Sequence, residues 1–273
     1  MKLSCLPVSL YDDVFSGRKS VSDWVHFAAT LGLDGVDFSV KFFSDREAKG
    51  LNSLRAEIEE VGIEPCMLAC YSDFTQPDPD LRESEIEQMR EDLQLAATLG
   101  IRFVRVTAGQ RHPGVAREQG VQWVVTGFRQ ALDEAEKLGV GLAYENHTKG
   151  APWQYWDFSQ PQEIFLEILD NLADTPLKVC FDTANCLVMN EDAIALLETV
   201  KNRVAIVHAF DIQAAGSFEP VLVGSGVAPN RQVFSILKRA GFDGWVSIEE
   251  ASRSGREGFE KAISFVRSAW EEV

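Results

Sequence analysis

The sequence predicts an α/β protein in which eight parallel strands and eight helices form one (β/α)8 TIM barrel, a single domain over residues 1–273. Short apolar runs alternate with amphipathic helical patterns along the whole chain, which is typical of parallel βαβ units. Eight such units fit a closed barrel of 273 residues. The alternative, an open doubly wound sheet, would normally carry a glycine-rich nucleotide-binding turn after its first strand. Here the segment 7–12 reads Pro-Val-Ser-Leu-Tyr-Asp instead.

The predicted elements follow one another in strict alternation. The strands are apolar runs bounded by turn residues, and they lie at 2–8, 35–40, 64–71, 102–108, 141–147, 177–184, 204–211 and 244–250. The helices repeat apolar residues at three- and four-residue spacing, and they lie near 20–32, 46–62, 80–100, 117–139, 160–173, 190–203, 230–241 and 255–271. Because a helix separates each pair of strands, every strand is expected to run parallel to the one before it.

Local signals mark the ends of these helices. Five of them are followed by a glycine and then an apolar residue, a pattern typical of a left-handed C-terminal cap; the glycines are Gly32, Gly62, Gly100, Gly139 and Gly241. Residues that can cap backbone N–H groups precede four helices; they are Ser20 or Ser22, Asp78 or Asp80, Asn190 and Asn230. The helix boundaries therefore agree with the hydrophobic periodicity.

Composition limits the classes of partner. The formal net charge of −16 would repel a nucleic-acid backbone or an anionic membrane surface. The N-terminal run contains Pro7 and is interpreted as a strand rather than a signal peptide, and no apolar stretch is long enough to span a membrane. The five cysteines are odd in number and form no CxxC pair, which favours reduced core thiols in a cytoplasmic protein over a disulfide framework or structural zinc.

Four metal-type ligands end four successive apolar runs. They are Glu145, Asp182, His208 and Glu249, at the ends of predicted strands five to eight. Barrel enzymes place their chemistry at this end of the strands, so the four side chains are expected to converge. Any one of them alone would more often be a loop, cap or rim residue. Together, three carboxylates and one imidazole predict a divalent-metal site, with Mn²⁺, Mg²⁺ or Co²⁺ favoured and Zn²⁺ as an alternative.

The surrounding motifs resemble one known family. They read Tyr-Glu-Asn-His at 144–147, Phe-Asp-Thr-Ala-Asn at 181–185, Val-His-Ala-Phe-Asp at 207–211, Leu-Val-Gly-Ser-Gly at 222–226 and Arg-Ala-Gly-Phe-Asp-Gly-Trp-Val-Ser-Ile-Glu at 239–249. This set is similar to the xylose isomerase-like TIM-barrel superfamily, and most of all to its sugar phosphate isomerases and epimerases, including the ketose 3-epimerases. The resemblance implies that the four ligands hold one divalent metal and that Glu145 and Glu249 also move protons.

Two positions depart from the ketose epimerases. Where those enzymes carry a substrate-binding His three residues after the metal Asp, this chain has Asn185. Where they carry an Arg about six residues after the metal His, it has Ala214. Related members dehydrate inosose or dehydroshikimate, isomerise hydroxypyruvate or eliminate from keto-glycosides. The resemblance therefore implies the shared metal chemistry with a different substrate.

These observations predict a metal-dependent sugar isomerase or epimerase that removes a proton next to a carbonyl. A lyase or dehydratase acting on a keto-sugar, keto-glycoside or inosose is the main alternative. A non-catalytic carbohydrate-binding barrel would not need two opposed glutamates. An apurinic endonuclease of the same superfamily would need more than the four histidines present and a basic face.

Substrate contacts are predicted for four rim residues, namely His147, Asn185, Trp153 and Arg105. Trp153 belongs to an aromatic segment at 150–158, whose rings would cover the face of a polyol or contact a neighbouring subunit. Arg105 and Arg111, with His112 nearby, would bind a phosphate or carboxylate, or form salt bridges at the rim. The expected partner is a small carbohydrate, and homo-oligomerisation is left open.

Overall fold

A computed structural model describes residues 1–150 and 152–273 and contains one sheet of eight parallel strands. The strands are β1 (Lys2–Leu6), β2 (Gly35–Ser39), β3 (Glu64–Ala69), β4 (Phe103–Val106), β5 (Gly141–Glu145), β6 (Lys178–Asp182), β7 (Val204–Ala209) and β8 (Trp245–Glu249). Their order in the sheet is β1-β8-β7-β6-β5-β4-β3-β2. Each strand ends one or two residues earlier than predicted, because the residues that follow turn into the loops of the rim.

The first and last strands of this order close the ring. The backbone N–H of Asp34, just before β2, donates to the carbonyl of Leu3 in β1 at 2.9 Å. The Asp34 carboxylate accepts from the Leu3 N–H, also at 2.9 Å. No regular ladder joins β1 and β2 in the described chain, so the barrel is nearly rather than fully closed. The predicted (β/α)8 TIM barrel is confirmed.

Helices surround the sheet. Within the described residues they are α1 (Tyr11–Phe15), α2 (Val21–Thr30), α3 (Ala48–Val61), α4 (Pro79–Leu99), α5 (Arg117–Leu138), α6 (Gln162–Asn171), α7 (Ala193–Val200), α8 (Asn230–Arg239) and α9 (Gly255–Glu271). All eight predicted helices are present, and α1 is an additional short turn of helix that the sequence did not indicate. No helix of the described chain combines the length and apolarity needed to cross a membrane.

The predicted glycine caps are confirmed, because all five glycines have φ between 69° and 76°. Ser20 caps α2 in a reciprocal capping box with Asp23, and Asp78 caps α4. The predictions for Asn190 and Asn230 were wrong. Asn190 ends a 3₁₀ turn in the left-handed conformation, and Asp192 caps α7 instead.

Asn230 is the first residue of α8 rather than its cap. Its side-chain amide donates to the carbonyl of Phe210 at 3.1 Å. It therefore ties the start of the helix to the end of β7. A polar residue at a helix start can serve a tertiary contact instead of a cap, and the local sequence does not distinguish the two.

Alternation along each strand decides which side chains face the barrel axis. Tyr144 in β5 points outward, where it packs between Phe128 of α5 and Phe165 of α6 with ring centroids 4.9 and 4.6 Å away. Its neighbour Glu145 must then face the interior. Phe181, Val207 and Ile248 are likewise completely buried beside Asp182, His208 and Glu249. The apolar contacts between sheet and helices thus aim the polar residues at the axis.

One buried carboxyl lies inside the barrel away from these four residues. Asp37 of β2 is completely buried, and its Oδ2 accepts from the hydroxyls of Ser4 and Ser247 at 2.7 and 2.6 Å. Its Oδ1 has no hydrogen-bond partner among the described residues. Burial raises the pKa of Asp37 above its ordinary value, although the two serines oppose this. The ionised form is therefore disfavoured in the folded state.

We expect Asp37→Asn to raise the free energy of unfolding of the metal-free protein at pH 8 by about 1–3 kcal/mol, because the amide does not have to ionise in the interior and each unit of pKa shift is worth about 1.4 kcal/mol. The folded protein binds the proton of Asp37 more tightly than the unfolded chain, so the wild type loses stability as pH rises from the ordinary pKa through the raised one. The advantage of the variant should vanish at low pH. Urea unfolding at several pH values measures it, and a constant difference would contradict the explanation.

Candidate metal and active site

The four predicted ligands meet at the C-terminal rim of the barrel. Glu145, Asp182 and Glu249 are the last residues of β5, β6 and β8, and His208 is the last but one of β7. In the sheet register Asp182 lies directly beside His208. One ligand atom from each of the four side chains lies within 4.8 Å of the others. The strand ends therefore bring together residues that are up to 104 positions apart, 145 to 249.

Short distances connect the members of this cluster. His208 Nδ1 is 2.7 Å from Glu145 Oε1 and 3.4 Å from Glu249 Oε2. Asp182 Oδ1 accepts hydrogen bonds from the backbone N–H groups of Ala184 and Asn185 at 2.8 and 2.6 Å. Those two bonds orient the carboxylate and leave its second oxygen for another partner.

Several atoms of the cluster are buried without a hydrogen bond. Among the described residues they include Asp182 Oδ2 and His208 Nε2, and Glu145 Oε2 has only its ion pair with Arg105 at 3.2 Å. A buried polar atom without a partner costs free energy, so several such atoms on the side chains of one cluster indicate that the cluster holds a further ligand. Carboxylate oxygens and an imidazole nitrogen are donors for a divalent cation. The residues present therefore fit one metal ion.

The pKa values of the three carboxyl groups in the cluster are shifted in different directions. Burial raises the pKa of Asp182 well above its ordinary value, and the carboxylates of Glu249 and Glu145 raise it further. Burial also raises the pKa of Glu249. Burial would raise the pKa of Glu145 too, but the charges of Arg105 and His208 reverse the effect and lower it. Arg105 and His208 thus favour the ionised form of Glu145, whereas burial disfavours the ionised forms of Asp182 and Glu249.

Two further side chains support the ligands. Arg105 of β4 is 2% exposed, and its Nε lies 3.2 Å from Glu145 Oε2. Its Nη1 donates to the carbonyl of Cys70 at 2.9 Å. Asn146 bonds the backbone of Asp182 twice, accepting from its N–H at 2.8 Å and donating to its carbonyl at 3.0 Å. Asn146 was not predicted, although it directly follows the ligand Glu145.

A cavity of about 170 Å³ lies over the cluster. Glu145 and Glu249 reach it from β5 and β8, and the Glu249 side chain is 22% exposed whereas that of Glu145 is 1% exposed. Three of the predicted substrate-binding residues also line it, namely Arg105, His147 and Asn185. His147 Nδ1 is 3.3 Å from the buried Asp157, and Asn185 Oδ1 accepts from Thr148 Oγ1 at 3.2 Å. Both side chains are therefore held in place at the cavity wall.

The fourth predicted contact, Trp153, does not line this cavity. It is 7% exposed and packs edge-on against His147, with ring centroids 5.3 Å apart. In the same loop Trp156 is 41% exposed, and Tyr155 packs against His112. Ala151 of this segment lies outside the described residues. The aromatic loop therefore divides into one buried ring behind His147 and others nearer the surface.

The second predicted cationic group also lies elsewhere. Arg111 is exposed, and His112 Nε2 is 2.8 Å from Asp73 Oδ2. Neither residue lines the cavity over the cluster. Only Arg105 of the predicted arginine pair reaches that cavity, and it does so beside a carboxylate. Arg105 and Arg111 therefore do not form one anion-binding pair.

Several cavity residues were missed from the sequence, among them two tyrosines and a lysine. Tyr71 follows β3, Tyr11 begins α1 and Lys149 follows β5, and all three line the cavity. The two tyrosine hydroxyls are 3.5 Å apart, and the Tyr71 ring lies 4.7 Å from the Arg105 guanidinium. Tyr71 stands just after a strand end, the position that revealed the metal ligands. A tyrosine at that position is more often a packing residue than a ligand, so the strand-end signal alone did not indicate its role.

Comparison with known proteins gives a consistent family. A sequence profile described as xylose isomerase-like TIM barrel matches residues 25–269. The chain is 24% identical over 265 residues to L-ribulose-5-phosphate 3-epimerase UlaE of Escherichia coli strain K12, covering 92% of this chain and 89% of that one. These matches extend over nearly the whole barrel, including all four clustered ligands.

Solved structures show the same fold. A D-tagatose 3-epimerase-like protein superposes with a TM-score of 0.81 at 20% identity, covering 100% of this chain and 98% of the other. The probable 3-DHS dehydratase AsbF of Bacillus anthracis superposes with a TM-score of 0.78 at 17% identity, covering 98% and 99%. Proteins named for two different reaction types thus share this architecture.

Proposed function

The chain belongs to the xylose isomerase-like TIM-barrel family, and we propose that it is a divalent-metal-dependent isomerase or epimerase of a sugar or sugar derivative. The single observation that carries the proposal is the buried cluster of Glu145, Asp182, His208 and Glu249 beneath a small cavity. The UlaE relative, named an L-ribulose-5-phosphate 3-epimerase, supports the class of reaction.

Two carboxylates of the chain are placed to move protons. Glu145 and Glu249 line one cavity from strands three apart around the barrel, so they can address opposite faces of a bound sugar. One removes the proton from the carbon next to the carbonyl, and the other delivers a proton to the opposite face of that carbon. The cation held by the cluster would draw electron density from the carbonyl and make the neighbouring C–H more acidic.

Other residues orient the substrate and restrict water. His147 and Asn185 present polar atoms to the cavity, and each is fixed by a neighbour, Asp157 or Thr148. We assign them to substrate hydroxyl groups. Arg105 keeps Glu145 in place through its 3.2 Å contact and also faces the cavity. Tyr71 and Tyr11 close one side of the cavity and leave little space for bulk water.

A lyase or dehydratase is the second candidate. Asn185 lines the cavity at the position where the ketose epimerases carry His, so one contact expected of a simple ketose site is changed. The same two glutamates would serve elimination, one removing the proton and the other protonating the departing hydroxyl. The fold shared with a protein named as a dehydratase is compatible with this reaction.

The experiment that tests the proposal follows solvent exchange in D₂O. Purified protein with added Mn²⁺, Mg²⁺, Co²⁺ or Zn²⁺ is incubated with free ketoses, ketose phosphates, keto-glycosides and inososes. We expect metal-dependent deuterium incorporation next to the carbonyl, with a second sugar appearing. Loss of water from the product would instead identify the lyase. Binding without any exchange would indicate a non-catalytic barrel and overturn the proposal.

The two tryptophans of the aromatic loop should differ sharply. We expect Trp153→Ala to lower kcat/KM by about tenfold or more, because its buried ring supports His147 at the cavity wall. Trp156→Ala should stay within about twofold, since Trp156 is 41% exposed and does not line the cavity. Kinetics on the substrate found above, with metal content measured in parallel, make the comparison. Equal losses in both variants would contradict this assignment of roles.

A further inference from the structure

A second, larger cavity adjoins the one over the metal cluster. Its volume is about 480 Å³, against about 170 Å³ over the cluster. Small-molecule sites usually measure about 300–1,000 Å³. The cavity over the cluster therefore suits a single small sugar, and the second cavity has room for another ring. No step of the proposed reaction uses it.

The second cavity also lies on the catalytic rim. It is bounded by the loop 40–46 after β2, by residues 71–76 after β3 and by one face of α4. Tyr71 lines both cavities. Trp153 lines the second cavity while its ring touches His147, which lines the first. The two spaces are thus separated at one place by the Tyr71 side chain and at another by the packed pair of Trp153 and His147.

The wall shared by the two cavities is aromatic. The Tyr71 ring is fixed on one side by the Arg105 guanidinium at 4.7 Å and by the Tyr11 hydroxyl at 3.5 Å from its own. Trp153 is 7% exposed and packs against the ring of His147. Rigid aromatic faces match the C–H face of a sugar ring at small entropic cost. A glycosidic link between two rings would run along the Tyr71 side chain, which borders both cavities.

The polar lining of the second cavity is mixed in charge. Arg46 Nη2 is paired with Asp92 at 2.8 Å, while its Nη1 has no partner among the described residues. Glu85 Oε2 accepts from a backbone N–H, and Gln88 donates to Asp92. Donors and acceptors are both available here. Neutral hydroxyl groups use both. The lining carries three carboxyl groups, those of Asp73, Glu85 and Asp92, against two cationic side chains, those of Lys41 and Arg46, so an anion would meet an excess of acidic groups.

We propose that this second cavity, lined by Arg46, Tyr71, Glu85, Gln88 and Trp153, binds a second ring of the substrate. The substrate is then a glycoside of a keto-sugar rather than a free or phosphorylated monosaccharide. This inference rests on the proposed function in one respect, namely that the ring in the cavity over the metal cluster is the one that reacts. Binding of the second ring is a separate property of the chain.

Selectivity between matched substrates tests the proposal. Isomaltulose and maltulose carry a glucosyl group on fructose at O6 and O4, and fructose 6-phosphate carries a phosphoryl group at O6. We expect deuterium exchange next to the carbonyl to be at least about tenfold more efficient, in kcat/KM, for a glucosyl ketose than for fructose or its phosphate. Preference for the free ketose or the phosphate would overturn the proposal.

Variants that fill the second cavity test the same site from the protein side. Gln88→Trp on α4 should lower the ratio of kcat/KM for the glucosyl ketose to that for fructose by about tenfold. Ser44→Trp should do the same from the opposite wall, which guards against misfolding of a single variant. Gln94→Trp is the matched control, because Gln94 is exposed on α4 and does not line the cavity. An unchanged ratio in both filling variants would exclude the second-ring site.

Saturation-transfer NMR separates failure of this inference from failure of the proposed function. With isomaltulose and maltulose as probes, saturation of the glucosyl protons should be strong in the wild type and weak in Gln88→Trp. That result supports the second-ring site even if no carbon-bound proton exchanges, in which case the proposed function alone fails. Exchange on fructose without glucosyl saturation on either probe would preserve the function and overturn the site.

Discussion

Glu145→Gln and Glu249→Gln are each expected to stop interconversion of substrate and product, with a loss of about 10²–10⁴-fold. The amide preserves the shape of the side chain but cannot accept or deliver the proton. Both side chains line the cavity over the cluster, and they reach it from strands three apart. If the reaction is an epimerisation, each glutamate serves one face of the same carbon.

Solvent exchange gives this prediction a sharper form. In D₂O, each variant should retain deuterium incorporation into only one of the two epimers, the one whose proton faces the remaining glutamate. The two variants should show complementary patterns. A variant that retains wild-type exchange in both epimers would show that its glutamate is at most a ligand. Metal content must be measured in each variant, because both residues also belong to the ligand cluster.

Glu250→Gln is a matched control for these two variants. Glu250 directly follows Glu249 and is completely buried, but it does not line the cavity. Its Oε1 accepts from the Ser252 N–H at 2.9 Å. Wild-type exchange in this variant would show that losing a buried carboxylate near the rim does not by itself stop the reaction.

The barrel and its four ligands could be predicted because one sequence pattern, an apolar run that ends at a polar residue, recurs along the chain. Each apolar run ends at a residue that alternation turns toward the axis, and the glycines after the helices fix where each unit begins. Tyr144 and Glu145 illustrate this, since the outward ring and the inward carboxylate occupy neighbouring positions. Sequence order and barrel geometry together then place all four ligands at one end.

The remainder of the site depends on contacts between loops, which no local pattern encodes. Trp153 was expected in the site, but its ring packs behind His147 because the loop folds inward after β5. Tyr71 is part of the wall only because Arg105, 34 residues later (105 − 71), fixes its ring. Asn190 and Asn230 failed as caps for the same reason, since tertiary contacts and turn geometry decided their conformations.

A double variant, Asp182→Asn with His208→Ala, should bind no divalent metal. Both residues are completely buried in the cluster, and Asp182 Oδ2 and His208 Nε2 have no hydrogen-bond partners in the described chain. Removing one negative ligand and one nitrogen leaves two carboxylates, which are too few to hold an ion against water. Metal analysis after equilibration with Mn²⁺ and gel filtration measures occupancy directly.

Thermal unfolding gives an independent measurement of the same site. A ligand at 100 times its Kd adds about 2.7 kcal/mol to the stability of the folded state. For a domain of this size, that corresponds to a rise in Tm of roughly 5–10 °C. Wild-type protein should show this rise with Mn²⁺, and the double variant should show none.

The paired change Asp37→Asn with His112→Ala is the matched control, because it alters the same two residue types outside the cluster. This control should keep both the metal occupancy and the rise in Tm. Full occupancy in the Asp182→Asn, His208→Ala variant would disprove the metal assignment, because the ion would then be held without two of the four proposed ligands.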